Sequence, residues 1–196
     1  MKKMFLLTIC LFLSTQNLLA DEQSILKDHF LNKIESVITI VKNKDIDKIT
    51  RNEQIVDTLT PMFDFTLMAK LSLGKKWKTL NKIEREKFIS LYINRMKQSY
   101  SSKLDAYSNE EIEITKIKQP KHNRIELITN LISNDNRLEV SYKFYKPKNL
   151  KIDKDRWLIY DVVILGISIL RTDKAQFREF LQTNTIQELL IKLQTK

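Results

Sequence analysis

The sequence predicts an α+β protein, in which N-terminal helices pack on a curved antiparallel sheet of about four strands and further helices close the chain. Apolar residues recur with helical spacing up to about Tyr107, then alternate with polar residues, and later return to helical spacing. A sheet that bends around helices leaves a conical space between the two layers. We therefore expect an apolar pocket between the helices and the sheet.

The first helices are predicted from apolar stripes and end signals. Residues 25–41, ILKDHFLNKIESVITIV, place their apolar side chains on one helix face. A second, short helix is expected over Asp45–Leu59. A third begins after Pro61 and ends at Gly74, because glycine is typical of helix C-termini.

A long fourth helix carries an aromatic stripe. Asn81 and Glu84 resemble the capping box that starts such a helix, and the large apolar residues that follow lie four apart. A stripe of this kind is usually ordinary core, and the alternative is one wall of the pocket. The candidate pocket residues on this helix are Phe88, Tyr92 and Met96.

Strict alternation over residues 111–118, 123–132 and 136–145 predicts three strands, and residues 156–170 contain a fourth. We expect one face of these strands to line the pocket, although a register slip of one residue turns a side chain to the other face. The candidate inward residues are Leu127, Val140, Tyr142, Phe144 and Val163.

The fourth strand contains an uninterrupted apolar run, Val162–Leu165, which predicts a strand covered on both faces. Gly166 follows it and is one of only two glycines in the chain. We expect this glycine to let the chain turn off the sheet, where a Cβ would crowd the turn. From the residues alone, the second cover is either helices or a bound apolar ligand.

Residues 1–20 have the layout of a secretory signal peptide, with Lys2 and Lys3 before a short apolar stretch and Ala20 at the expected cut. The alternative is a buried N-terminal helix. We predict one domain over residues 21–196. The only cysteine, Cys10, lies within the signal, so the mature chain can form no disulfide and no thiolate metal site.

The net charge and the titratable residues limit the classes of function that fit this sequence. The net charge of +10 falls to +8 when the two signal lysines are removed, which suits anionic lipid or an acidic protein face, while export argues against nucleic acid. His29 and His122 are far apart, so we expect no metal site. Asp64 and Asp161 stand in apolar contexts, where a structural role is favoured over catalysis. No catalytic residue is predicted.

Two stretches, FDFTLMAKLSLGKKW at 63–77 and WLIYDVVILGISILRTDKAQF at 157–177, resemble the signatures of the MlaC-type periplasmic phospholipid-binding family, also called the toluene-tolerance family. The chain departs from the family pattern at Leu165 and at Thr172, Asp173 and Lys174, where an acid and an Asn-Tyr-Arg run are usual. Loss of that arginine removes bidentate hydrogen bonding. The matching signature residues are Phe63, Asp64, Phe65, Met68, Leu73, Gly74, Trp77, Trp157, Tyr160, Asp161, Gly166, Ser168, Gln176 and Phe177.

The resemblance implies an NTF2-like layout and a monomeric periplasmic carrier, with phospholipid as its ligand and no other cofactor. The partners it implies are an inner-membrane ABC transporter complex with a lipid-binding ring subunit and an outer-membrane lipoprotein–porin complex. The implied role is to maintain outer-membrane lipid asymmetry. Two alternatives are a basic adaptor that binds protein or membrane surfaces without a lipid, and a secreted hydrolase.

Overall fold

The computed structural model describes residues 2–104, 111–133, 136–150 and 152–195, with side chains from residue 21 onward except in 100–104. Two short 3-10 helices, Thr60–Met62 and Gly74–Thr79, lie on either side of the α-helix Phe65–Leu73. The α-helices of the described residues are α1 (Lys2–Lys42), α2 (Lys48–Leu59), α3 (Phe65–Leu73), α4 (Lys82–Leu104), α5 (Ile169–Thr183) and α6 (Ile186–Gln194).

The helix ends follow the predicted local signals. The Asn81 backbone N–H donates to the Glu84 carboxylate at 2.9 Å, and the Glu84 N–H donates back to the Asn81 side chain at 3.0 Å, which confirms the capping box of α4. Asp47 caps α2, so that helix begins three residues later than predicted. Gly74 ends α3 with a φ of 55°, a conformation that favours glycine.

The sheet is an antiparallel meander in the order β1-β2-β3-β4-β5. A two-residue fifth strand extends the four predicted ones. Together with the helices on either side in sequence, the sheet confirms the α+β prediction. The strands are β1 (Glu111–Lys121), β2 (Arg124–Ser133), β3 (Asn136–Tyr145), β4 (Leu158–Ile164) and β5 (Ile167–Ser168).

The turn between β4 and β5 corrects the expected role of Gly166. Ile164 pairs with Ile167, so only Leu165 and Gly166 form the loop, and their φ angles are 49° and 79°. A tight hairpin with both central residues at positive φ matches the sheet's twist. No atom lies within 4 Å of a Cβ built on Gly166. Glycine is favoured at position 166 because the φ angle is positive, and not because a Cβ would be crowded there.

The buried apolar side chains of the helices and the sheet form one contiguous cluster, apart from Ile55 of α2 and Leu158 of β4. Among the residues whose side chains are described, no helix is both long and apolar enough to cross a membrane. The side chains of residues 1–20 lie outside the described part, so the signal peptide and the domain boundary at Asp21 stay predictions.

Candidate functional site

The inward face of the sheet is apolar along its length. Residues directly opposite each other in antiparallel strands share a face, so the register defines four rows across the sheet. The first row contains Ile125, Phe144 and Ile159; the second Ile117, Leu127, Tyr142 and Val162; the third Ile114, Thr129, Val140 and Ile164; and the fourth Ile112, Leu131 and Leu138.

Burial of this face falls from the first row to the fourth. Every side chain of the first row is 1% exposed or less. The second and third rows mix buried and half-buried residues, and every member of the fourth row is half-buried. Apolar side chains on the inner face of a sheet are normally covered, so the protein leaves part of this face incompletely covered.

Helix α1 lies along β3 in the opposite direction. Halfway along the helix, the Glu22 carboxylate accepts a hydrogen bond from Lys146 at 2.8 Å, and two turns later the Phe30 ring packs on Tyr142 with centroids 4.9 Å apart. The eight residues from Glu22 to Phe30 in the helix span about 12 Å, and the four residues from Lys146 to Tyr142 along the strand span about 13 Å, so the two elements keep the same pace. The next turn of α1 therefore carries Ile34 over the third and fourth rows.

The half-buried apolar residues between α1 and the less covered rows form what we call the apolar seam. Each of them packs against the buried core on one side and keeps part of its surface exposed. The seam is the candidate site for an apolar ligand. Its members are Ile34, Ile112, Ile114, Leu138, Tyr142 and Ile164.

The register places four of the five predicted inward residues on one face of the sheet, and their part in ligand binding stays a prediction. Leu127 lies opposite Tyr142, and Val140 and Phe144 occupy the neighbouring rows. Val163 was wrong, because it pairs with Ser141 on the outward face of β3. Tyr160 forms a bulge in β4, because it is an extra residue between the partners of Lys143 and Phe144. Ile164, which pairs with Val140, takes the inward position.

The aromatic stripe of α4 is buried against α5. Phe88 and Tyr92 are 0% exposed, and Phe177 of α5 lies edge-on to both, with centroids 5.6 Å and 6.3 Å away. Met96 is 4% exposed. Because α5 covers Phe88 and Tyr92, the structure gives them a packing role, and a part for the stripe in ligand binding stays a prediction.

Asp64 has the structural role predicted for it. Its Oδ1 accepts the Leu67 N–H at 3.0 Å and so caps α3, while its own N–H donates to the Ile159 carbonyl at 3.0 Å. The Tyr145 hydroxyl donates to the other carboxylate oxygen. Burial raises the pKa of Tyr145, and the hydrogen bond to Asp64 raises it further. Asp64 thus joins α3 to the sheet.

Asp161 has the equivalent role on the outward face of β4. Its carboxylate pairs with Lys143 at 3.2 Å, accepts the Ser168 hydroxyl at 2.8 Å and accepts the Leu170 N–H at 3.1 Å. Ser168 in turn caps α5 through the Arg171 N–H at 3.0 Å. This carboxylate is 3% exposed and fully engaged in holding α5 to the sheet.

The helices and strands that surround the seam are called the frame, and the remaining signature residues make contacts within it. Trp157 donates to Glu22 at 2.9 Å, and the Tyr160 ring packs edge-on to Tyr145 with centroids 6.1 Å apart. Trp77 lies under the Arg85 guanidinium, Phe63 stacks on Phe65, and Gly74 lies beside Lys174, whose Cε would be 3.0 Å from an added Cβ.

A buried triad between α4 and α5 was not predicted from the sequence. Asp173, which is 4% exposed, accepts the Tyr92 hydroxyl at 2.8 Å and Arg95 at 2.9 Å. Asp173 stood out only as a departure from the family pattern. The spacing of Tyr92 and Arg95, one helical turn apart, is the signal that could have found their common partner.

The two histidines have different surroundings. His29 Nε2 lies 2.7 Å from Asp155 Oδ2, and this side chain is 41% exposed. His122 lies in the exposed turn between β1 and β2. Within the described part of the chain, no three His, Cys, Asp or Glu side chains are grouped so that they could hold a metal ion.

The fold agrees with comparisons to known proteins. The family model described as MlaC protein matches residues 32–195. The chain belongs to the MlaC family. It is 27% identical over 147 residues to the intermembrane phospholipid transport system binding protein MlaC of Haemophilus influenzae, and this match covers 74% of the chain and 65% of that relative's length.

A solved structure also has this MlaC-family fold. It is that of a phospholipid-binding protein from Ralstonia solanacearum in complex with a phospholipid. The TM-score is 0.73 with 18% sequence identity, and the match covers 88% of this chain and 94% of that chain. At 18% sequence identity, the similarity of the two structures establishes the fold alone.

Proposed function

We propose that this protein binds a phospholipid and carries it between membranes. The observation that carries the proposal is the apolar seam, on an inward sheet face that is fully buried at Phe144 and only half-buried at Leu138. The names of the Haemophilus relative and of the Ralstonia protein support phospholipid as the ligand.

In this proposal the acyl chains lie on the seam, with the buried residues Leu127, Val140 and Phe144 beneath them, and the head group stays near solvent. Each buried methylene contributes about 0.8 kcal/mol, so exposing roughly thirty of them to water costs about 24 kcal/mol. A seam about as apolar as a bilayer removes most of that barrier. It does not trap the lipid, because the bilayer offers the tails a similar environment.

No step of this function breaks a covalent bond, so the proposal requires no catalytic residue. The buried carboxylates Asp64, Asp161 and Asp173 are all held by hydrogen bonds within the frame. The periplasm as location, the inner-membrane transporter and outer-membrane lipoprotein–porin complexes as partners, the monomeric state and the role in outer-membrane lipid asymmetry belong to the proposal as well.

Organic-solvent extraction of the purified protein tests the proposal. We expect phospholipid in about equimolar amount, identified by mass spectrometry. The control is a same-sized exported protein without an apolar seam, purified from the same extract. A protein that folds normally and yields no more lipid than this control would contradict the proposal and favour the ligand-free basic adaptor.

A further inference from the structure

The connection between β3 and β4 is both basic and apolar. We call residues 146–156, KPKNLKIDKDR, the basic loop; by sequence it holds five Lys or Arg against two Asp. At its centre lie Leu150, which is 74% exposed, and Ile152, which is 90% exposed. Ile152 has the largest exposed fraction given for any large apolar side chain among the described residues.

Both ends of the basic loop are fixed to the protein. At its start, the Lys146 N–H donates to the Asn123 carbonyl at 3.2 Å. Near its end, the Asp155 N–H donates to the Pro61 carbonyl at 3.2 Å, and Lys154 donates to the Thr60 carbonyl at 2.7 Å. The loop therefore presents Leu150 and Ile152 from an anchored base, which lowers the entropy lost on binding.

The middle of α1 strengthens this base through Glu22. The Glu22 carboxylate pairs with Lys146 at 2.8 Å and with Arg156 at 2.5 Å, and so bridges the two ends of the loop. Burial opposes ionisation of Glu22, but hydrogen bonds from Lys146 and Trp157 and the charge of Arg156 outweigh it and hold its pKa below the usual value.

We propose that the basic loop docks the protein on an anionic phospholipid bilayer, with Leu150 and Ile152 inserted among the head groups. Exposed aliphatic side chains surrounded by cations match the apolar interior and the negative surface of such a bilayer. The exposed Lys121 and His122 of the β1–β2 turn lie at the same end of the sheet. Two aliphatic side chains are too small for a stable protein interface, which takes about 20–30 residues a side.

Docking and lipid binding are separable in this protein. The basic loop follows the end of β3, next to the fully buried first row, whereas the least covered row contains Leu138 at the beginning of β3. The docking inference extends the proposed carrier function, but either proposal can be refuted while the other stands. Loss of docking leaves bound lipid unchanged, and absence of bound lipid leaves vesicle binding unchanged.

Vesicle co-sedimentation of the full chain with a C-terminal tag tests the docking. The probes are vesicles of phosphatidylethanolamine with phosphatidylglycerol, and vesicles of phosphatidylcholine alone. We expect binding only to the anionic vesicles. Leu150→Ser/Ile152→Ser should weaken it about tenfold, and Lys148→Gln about fivefold, because each cation near an anionic surface contributes about 1 kcal/mol.

The matched control is Ile83→Ser/Ile191→Ser, since these isoleucines are 76% and 59% exposed on α4 and α6. This pair should bind vesicles like the parent protein. All variants should keep the parent melting curve and the parent lipid content. No binding by the parent protein, or equal loss in the loop pair and the control pair, would overturn the proposal. The first outcome would indicate an acidic protein as the partner of the loop.

Discussion

Leu138→Asp tests whether the seam holds lipid. Burying a leucine side chain completely stabilises a protein by about 1.5–3 kcal/mol. Leu138 is half-buried in the least covered row, so the substitution loses about half of that free energy. Aspartate's poor strand propensity adds up to about 1 kcal/mol. The total of about 2 kcal/mol lowers the melting temperature by about 4–8 °C in a protein of this size. The variant should therefore fold.

The effect on lipid should be much larger than the effect on stability. A carboxylate in the seam lies where an acyl chain would lie, and burying an unpaired charge costs several kcal/mol. Because each 1.4 kcal/mol is a factor of ten, lipid content should fall by more than about tenfold. The assay combines a circular-dichroism melt with mass spectrometry of the extracted lipid.

The control for this variant is Ile128→Asp. Ile128 is also half-buried in a strand, but it pairs with Ser141 on the outward face. It should lose similar stability and keep its lipid. A folded Leu138→Asp protein with the full lipid content would refute our reasoning about the seam, and so would an equal loss of lipid in both variants.

The remaining predictions concern the frame, charge and export. Glu22→Gln should lower the melting temperature at neutral pH. The folded pKa of Glu22 is depressed, so its stabilisation is present above the unfolded value of about 4.3 and lost as pH falls through the lower folded value. The gap between the two melting curves should therefore narrow on acidification below the unfolded value, and a gap that stays constant would contradict this. Asp161→Ala should destabilise the protein by about 3–5 kcal/mol, because it leaves Lys143 partly buried without its counter-ion; chemical denaturation measures this, and a loss below about 1 kcal/mol would be inconsistent with it. Lipid transfer between anionic vesicles should slow as salt rises, because exposed charges are screened beyond about 8 Å at physiological ionic strength; a flat salt profile would count against electrostatic docking. Protein from a periplasmic extract should begin at or near Asp21, and Edman sequencing that reads Met1 would refute export with cleavage.

The sequence predicted the elements well because their signals are local. Asn81 with Glu84 forms the expected capping box. Alternation in β3 correctly predicted that Val140, Tyr142 and Phe144 share a face. These patterns depend only on the period of the backbone and on neighbouring residues.

The errors arose where distant parts of the chain decide the outcome. Val163 was assigned to the inward face because an apolar run carries no alternation. Its face is decided by pairing with β3, against which β4 has one extra residue, Tyr160, between the partners of Lys143 and Phe144. Thr129 lies in the apolar third row with its hydroxyl bonded to the Val140 carbonyl at 3.1 Å, a pairing no sequence pattern reveals. The incomplete cover of the fourth row depends on where α1 lies over the sheet.

A photoreactive phospholipid tests the central claim most directly. The probe carries a diazirine in one acyl chain, is loaded by exchange and is crosslinked in the purified protein, and the modified residues are mapped by tandem mass spectrometry. The account predicts adducts on the seam, at Ile34 of α1 and Leu138 and Tyr142 of β3, and none on the outward residues Ile128 and Val163. Adducts concentrated on the outward face, or none above a non-exchanged control, would contradict the claim that this seam holds the lipid.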